Sequence, residues 1–549
     1  MSEIVLKKYK VKYLWDFCED GMFAVPEIQR EFVWDSKRAC RLLDSIYRQL
    51  PIGSMLVWET KADRQHLLRH AQEVLPSYKS NSQKIWFLID GQQRLSVIYR
   101  AKAGHQVKNW NGKILDFSKL CFSFDDRYDT RFLFIRRPLP KLHIPLTDIL
   151  STNWKRKLRY LPHNKMLKVE QCRNRVLGYE VPVIFVHTHE LEEIRETFLR
   201  INSGGLRISE ADRGFTLASR LNLRRLMKEL RNSLPARFSE IDFGILQSAM
   251  ALIVGQRELS ASAVESAITK LEKEEIENGK VSRRFTKDWR RIDQYIRKAV
   301  DYLINEIGVI NFTFLPSDNM VSVLAYFFYV NNGAQPSARQ RREIKKWFWA
   351  TGVGRRYAGR GYYQNIRSDL TFFQNLGRHR HGRFVFRDLV LMGDIKRTDY
   401  LVSGSVTTSF FLLLLKKQPR YLETGSAFPL DKTAAMANRK DKHHIFPKAL
   451  LDRNGFPSRE ANSLCNICYL VAEENQSIGS NKPIAYLEEH KRRKHFSKVM
   501  KSHLIPYRGD SGLWEYNIRK GYKKFCKQRL ELICRELEKV AGIKLFRPD

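Results

Sequence analysis

The sequence predicts an α+β protein built of several units. Three observations lead there. Short apolar runs of strand character alternate with amphipathic helical stretches up to about residue 220, a long region of helical periodicity follows, and the last part returns to short mixed elements. A chain of 549 residues exceeds one ordinary domain, and roughly two to four units could each bury a core. Hydrophobic content of 43% and aromatic content of 12% describe a folded chain.

In chain order, "KRACRLLDSIYRQLP" places Leu42, Leu43, Ile46 and Leu50 on one helical face, and "GSMLVWE" reads as a strand. "KIWFLID" is a second strand; Gly91 turns the chain, and "QQRLSVIYRA" reads as a helix. "YEVPVIFVH", from Tyr179 to His187, is a further strand. Together these predict a first domain over residues 1–220. Over 221–425 the helical period dominates, as in "RRIDQYIRKAVDYLINEI" and "MVSVLAYFFYV", and predicts a helical connector. Two runs there, "RRFTKDWRR" and "RQRREIKKWFW", interleave aromatics with basic residues. Such runs suit a phosphate-contacting surface or, equally, a solvated basic face with core aromatics beneath it. "TGVGRRYAGRGYY" predicts an exposed loop. Residues 426–549 form a third part, entered through "YLETGSAFPLDKTAAMANRK" and ending in a basic helical tail.

Charge points to the class of partner. There are 97 Lys and Arg against 59 Asp and Glu, a formal +38, and a field of that sign attracts polyanions, which release condensed counterions on binding. Nucleic acid is therefore the expected partner. A membrane is not: "FFLLLLKK", Phe410 to Lys417, is far too short to span a bilayer, and "MSEIVLKKYKVKYLWDF" lacks the apolar core of a secretory signal. Eight cysteines without a spacing framework fit a reducing compartment, so the cytoplasm is expected. Cys465 and Cys468 form one C-x-x-C, which reads as half of a zinc site or as ordinary packing of two small apolar side chains.

Asp90-Gly91-Gln92-Gln93-Arg94 falls where a strand gives way to a helix. Free backbone N–H groups and the positive helix end suit phosphate there, Arg94 adds a bidentate donor, and Asp90 could hold a cation or orient water. A plain turn with a helix cap explains the same residues. Gln29 and Arg30, in "VPEIQREFVW", form a second polar pair. The segments "VPEIQREFVW", "FLIDGQQRLSVIY" and "FLRINSGGLRIS", in this order, resemble the DGQQR-containing, ParB-like α/β domain at the front of bacterial modification-dependent restriction proteins of the GmrSD type. The resemblance covers roughly the first two-fifths of the chain. It implies binding and hydrolysis of a nucleoside triphosphate (NTP), with Asp90, Gly91, Gln92, Gln93 and Arg94 at the nucleotide and Gln29 and Arg30 beside it. Asn202-Ser203-Gly204-Gly205 reads as a left-handed helix cap; the family also carries an Asn and a Gly here, which adds Asn202.

The third part contains Asp441-Lys442-His443-His444-Ile445-Phe446-Pro447, followed by "NSLCNICYLVAEENQSIGSNKP". Adjacent histidines can be solvated loop residues, metal ligands, or a general base beside a ligand. Phosphodiester cleavage needs a base for water and a cation for the developing charge, and a hard cation needs few protein ligands because it keeps waters. The order H-H-I-F-P, N-I-C-Y-L and an Asn before N-K-P resembles the HNH (ββα-metal) nuclease domain that ends GmrSD-type proteins. That resemblance implies His444 as general base, His443 as a metal ligand, Asn466 as the Asn that braces the loop and Asn475 as the second metal ligand. The family more often has an acid where His443 stands, so Mn²⁺ or Ni²⁺ becomes admissible beside Mg²⁺. Lys482 could contact phosphate, as could the basic run "EEHKRRKHFSKVMKSH".

The expectation is a nucleotide-regulated, metal-dependent DNA endonuclease of bacterial anti-phage defence, acting on modified phage DNA. Two alternatives stand beside it: a nuclease that senses phosphorothioate-marked DNA as partner of a self-modification system, and a non-catalytic nucleic-acid-binding regulator. One HNH centre cuts one strand, so a double-strand break would need a homodimer or two successive nicks.

Overall fold

The strand Met55–Lys61 lies in the middle of a five-stranded sheet, and its composition accounts for the position. Met55 and Val57 enter one core while Leu56 and Trp58 enter another, so both faces are covered. Across the sheet the neighbours are Glu3–Lys10, Glu180–His187, Met55–Lys61, Lys84–Asp90 and Phe23–Ala24. Glu180–His187 runs antiparallel to Glu3–Lys10 and parallel to Met55–Lys61, which pairs antiparallel with Lys84–Asp90. The larger core packs the sheet against helices Val11–Glu19, Ser36–Tyr47 and Gln92–Ala103 through Leu14, Leu43, Leu88 and Leu95. The smaller core stacks Trp58 on Phe87, with ring centroids 5.4 Å apart, and receives Ile194 and Phe198 from the helix Leu191–Ser203.

This computed structural model describes the chain apart from residues 1–2, 27–28, 30, 62–74, 80–83, 110–112, 126, 189, 204–208, 219–220, 278–279, 360, 379–381, 388–389, 430–441, 471–473, 475–477 and 547–549. The described residues gather into two compact units, 1–225 with 268–281, and 226–267 with 282–549. Among the described residues no helix is long and apolar enough to cross a membrane.

The second unit is built around the helix Asn319–Val330, apolar nearly all round and packed against Phe243–Ile253, Arg283–Tyr302 and Tyr362–Gly377. The long C-terminal helix Ile518–Ala541 packs on Ala338–Val353 and Ser405–Lys416, so the tail shares a core with the middle of the chain. On Arg283–Tyr302 the sides are clearly divided. Phe285, Trp289, Ile292 and Ile296 are buried, while Arg283, Arg284, Lys287, Arg290 and Arg291 are exposed. Trp347, Phe348 and Trp349 of the second basic run are buried too. A short antiparallel ribbon, Lys442–His444 against Ile467–Tyr469, completes this unit.

Two local expectations change. The helix Ser36–Tyr47 stops short of Leu50, which is 49% exposed rather than on the buried face. Within "TGVGRRYAGRGYY" the chain does leave helix, yet Arg356 and Tyr357 are buried. Arg356 Nη2 pairs with Asp369 Oδ1 at 2.6 Å, and Tyr357 OH and Trp347 Nε1 donate to Oδ2 at 2.8 and 2.9 Å. A buried carboxylate needs such a set of donors, and this one draws the loop inward.

Candidate functional site

In the first unit, Asp90 closes the strand Lys84–Asp90 and Gly91 caps the helix Gln92–Ala103 in the left-handed conformation, with φ 92°. A Cβ at Gly91 would fall 2.8 Å from Met55 Cγ, so only glycine lets the helix start this close to the central strand. One turn on, Arg94 reaches back. Its Nη2 donates to Asp90 Oδ2 at 2.7 Å and its Nη1 to the Ile52 carbonyl at 2.7 Å. The Asp90 side chain stays 34% exposed and that of Arg94 16%. The ion pair is thus the part of the five-residue run that meets solvent.

The glutamines are bound inward. Gln29 Nε2 donates to the carbonyls of Leu88, at 3.1 Å, and Ile89. Gln93 accepts from Val33 N at 2.9 Å through Oε1 and donates to the Glu31 carbonyl at 3.0 Å through Nε2. The amides therefore fasten Gln29, Glu31 and Val33 to the strand and helix that carry Asp90 and Arg94. Gln92 is buried. Arg30 lies outside the described residues; Asn202 sits on the helix Leu191–Ser203, but its side chain lies outside them.

In the second unit, the ribbon register sets His443 opposite Cys468 and His444 opposite Ile467. Strand alternation sends adjacent side chains to opposite faces. His443 is buried, while His444 is half-buried with the Tyr400 ring set edge-on to it at 5.6 Å. His444 Nε2 lies 3.0 Å from Asn462 Oδ1, and Asn462 Nδ2 donates to Asp399 Oδ2 at 3.2 Å. Burial, the largest influence, holds the His444 pKa below the usual histidine range; the Asn462 contact and Asp399 oppose that, and Lys448 reinforces it. Burial thus favours the neutral ring.

Fully buried Asn466 ties the loop after His444 to its surroundings. Its Oδ1 accepts from Phe446 N at 2.8 Å, and its Nδ2 donates to the carbonyls of Phe446 at 3.0 Å and Ala461 at 2.9 Å. Tyr486 OH donates to the Ile445 carbonyl at 2.7 Å. Asn475 lies outside the described residues. An imidazole and an amide oxygen form a two-ligand set of the kind that a cation keeping several waters accepts, and His443 and Asn475 have that chemistry. Among the described residues no group of three His, Cys, Asp or Glu side chains is placed to hold a metal ion. Lys482 is exposed at the start of the helix Pro483–Lys491.

Cys465 and Cys468 do not suit zinc. Both are buried, and among the described residues no third His, Cys, Asp or Glu stands with them to complete a metal site, which would need four ligands. A cation already occupies their neighbourhood. Arg529, fully buried on the C-terminal helix, donates to the carbonyls of Cys465 at 2.9 Å, Ile467 at 2.8 Å, His503 at 3.0 Å and Leu504 at 3.1 Å. It grips the backbone on both sides of Asn466. Reading the sequence missed Asp399, Asn462 and Arg529, whose partners lie some sixty residues away along the chain. Asn462 carried a weak signal as a polar residue just ahead of "SLCNICY".

A mixed-sheet unit with an Asp–Arg pair at a helix start, and a helical unit with a braced histidine ribbon, define a basic α+β protein with one polar centre in each unit. Residues 8–217 match the family model described as "GmrSD restriction endonuclease, N-terminal domain". Over this stretch, less than half of its length, the chain is similar to the N-terminal domain of GmrSD restriction endonucleases. The chain is also similar to the uncharacterized protein MJ0686 of Methanocaldococcus jannaschii, with 22% identity over 525 residues, covering 86% of this chain and 84% of that protein.

Proposed function

We propose that the protein is a nucleotide-regulated, metal-dependent DNA endonuclease of anti-phage defence that restricts modified DNA. In this reading residues 1–220 sense an NTP, 221–425 form a helical connector and 426–549 carry an HNH cutting centre. The observation that carries it is the geometry at His444: a half-buried imidazole on a short ribbon, its Nε2 engaged by Asn462 and the loop beside it braced by Asn466, in a setting where burial favours the neutral ring. That is what a general base for water requires.

His444 takes a proton from the attacking water as the water oxygen bonds to phosphorus in line, and the bond from phosphorus to the 3′ oxygen breaks. Asn466 keeps the backbone at Phe446 and Ala461 fixed while this happens. His443 and Asn475 would hold a divalent cation, whose chemistry when bound would be charge stabilisation at the scissile phosphate and leaving oxygen. Because His443 and His444 leave the strand on opposite faces, ligand and base stay distinct. In the first unit, Asp90 and Arg94 act on the nucleotide, Arg94 through its guanidinium and Asp90 by ordering water or a cation.

The test uses the full-length protein, plasmids with and without modified bases, each NTP, and Mg²⁺ or Mn²⁺. His444→Ala should lower cleavage by about 10²-fold to 10⁴-fold, and Asp90→Ala should abolish nucleotide turnover. Undiminished cleavage by the first variant, or undiminished turnover by the second, would remove the corresponding centre from the reading.

A further inference from the structure

Three polar groups form a chain that ends on His444, and their donor and acceptor capacities allow only one polarity. Asp399 begins it. Its Oδ1 accepts from Leu401 N at 2.9 Å, and its Oδ2 lies 3.2 Å from Asn462 Nδ2. A carboxylate bonded this way only accepts, so the amide NH₂ of Asn462 must face it. That turns Asn462 Oδ1 toward His444 Nε2, 3.0 Å away. Oδ1 cannot donate. The Nε2 must therefore carry the proton, and the lone pair of the neutral ring resides on Nδ1.

The backbone around this chain is fixed. Asn462 is 3% exposed. The Tyr400 N–H donates to the Asn462 carbonyl at 3.1 Å, Leu464 N to the Thr398 carbonyl at 3.2 Å, and Ser463 Oγ to the Lys396 carbonyl at 2.6 Å. Two segments far apart in sequence are zipped together directly behind the histidine.

We propose that Asp399 and Asn462 are positioning residues that hold His444 in the Nε2–H tautomer, so that Nδ1 is the atom that takes the proton from water. The proposal rests on the nuclease reading above for its consequence, though the tautomer itself does not. Asp399→Asn is the informative change, being nearly isosteric. The new side-chain oxygen stays with Leu401 N, the new NH₂ faces Asn462, and Asn462 turns over to present its own NH₂ to Nε2. The proton then moves to Nδ1 and the basic lone pair points into Asn462. Adding Asn462→Asp restores an acceptor facing Nε2, because the amide introduced at position 399 donates to the new carboxylate.

Two measurements on the full chain test this. The first is the ring ¹⁵N spectrum of His444, assigned by its loss in His444→Ala. Wild type and the D399N/N462D double variant should show Nε2–H, and D399N should show Nδ1–H. The second is single-turnover cleavage with saturating plasmid and Mn²⁺. D399N should cut at least about tenfold more slowly with DNA affinity and melting temperature unchanged, and the double variant should recover most of that loss. A D399N protein that keeps Nε2–H, or a double variant no faster than D399N, overturns the proposal. If D399N does not fold, Asn462→Ala takes its place, and retention of a single Nε2–H tautomer there overturns it equally. Cleavage that survives His444→Ala defeats the nuclease reading instead, and the ring spectrum still decides the tautomer.

Discussion

Arg529→Met probes the most unusual side chain in the second unit. The guanidinium is buried with no carboxylate partner among the described residues, and burial pulls its pKa below the usual arginine value. It is held by four backbone carbonyls, those of Leu504, Cys465, Ile467 and His503, at 2.8 to 3.1 Å. Methionine fills much of the same space and donates nothing. Each orphaned buried carbonyl costs about 1 kcal/mol at the low end of the usual range, or about 4 kcal/mol for four. Relief from keeping a cation in a low-dielectric interior offsets part of this, leaving a net loss of about 2 to 3 kcal/mol. The loss should be local, because those carbonyls belong to the ribbon strand, to the helical turn Leu464–Asn466 just before it and to the turn after the helix Phe496–Ser502. Hydrogen exchange read by mass spectrometry is the suitable assay. Peptides covering 463–469 and 503–505 should lose protection by about thirtyfold or more, while peptides of the first unit keep theirs. Unchanged exchange in the ribbon peptides would refute the idea that Arg529 holds the strand in place.

Two further outcomes are expected. His503 is fully buried beside Arg529, and burial lowers its pKa from 6.5 to about 4. The folded state thus disfavours the charged ring, so this contribution to stability is intact above about pH 6.5 and is lost progressively as pH falls from there to about 4, amounting to about 3 kcal/mol. Urea titrations of wild type and His503→Gln across that window should show a shallower pH dependence in the variant; parallel curves would contradict the assignment. Gly91→Ala places a methyl 2.8 Å from Met55 Cγ at a positive φ, and should cost about 2 to 4 kcal/mol in the first unit. An unchanged melting temperature would show that the helix start can move away from the central strand.

Much of the sheet was legible because its strands are covered on both faces, which writes continuous apolar runs such as "KIWFLID" and "YEVPVIFVH". The opening strand Glu3–Lys10 escaped notice for the opposite reason. It lies at the sheet edge, with Ile4 and Leu6 exposed among lysines, and so carries no clean alternation. The strand-to-helix junction at Gly91 could be anticipated from local pattern. The contacts that orient side chains could not. Asp399 meets Asn462, and Arg529 meets the carbonyls beside Asn466, across tens of residues, and such pairings leave no periodic mark. In the aromatic and basic runs it is burial that places the rings: Phe285 and Trp289 belong to the core.

That division of the helix Arg283–Tyr302 bears on how DNA would be handled. With both rings closed into the interior, the outer side offers five exposed cationic side chains, two of which, Arg284 and Arg291, lie beside Asp288. Contact made there would follow the phosphate backbone, weaken steeply with added salt, and be indifferent to the order of bases. A surface of that kind would retain DNA without inspecting it. In the proposed reading, discrimination between marked and ordinary DNA would fall to another part of the protein, and changes to these basic residues should alter how long DNA stays bound without changing which DNA is chosen.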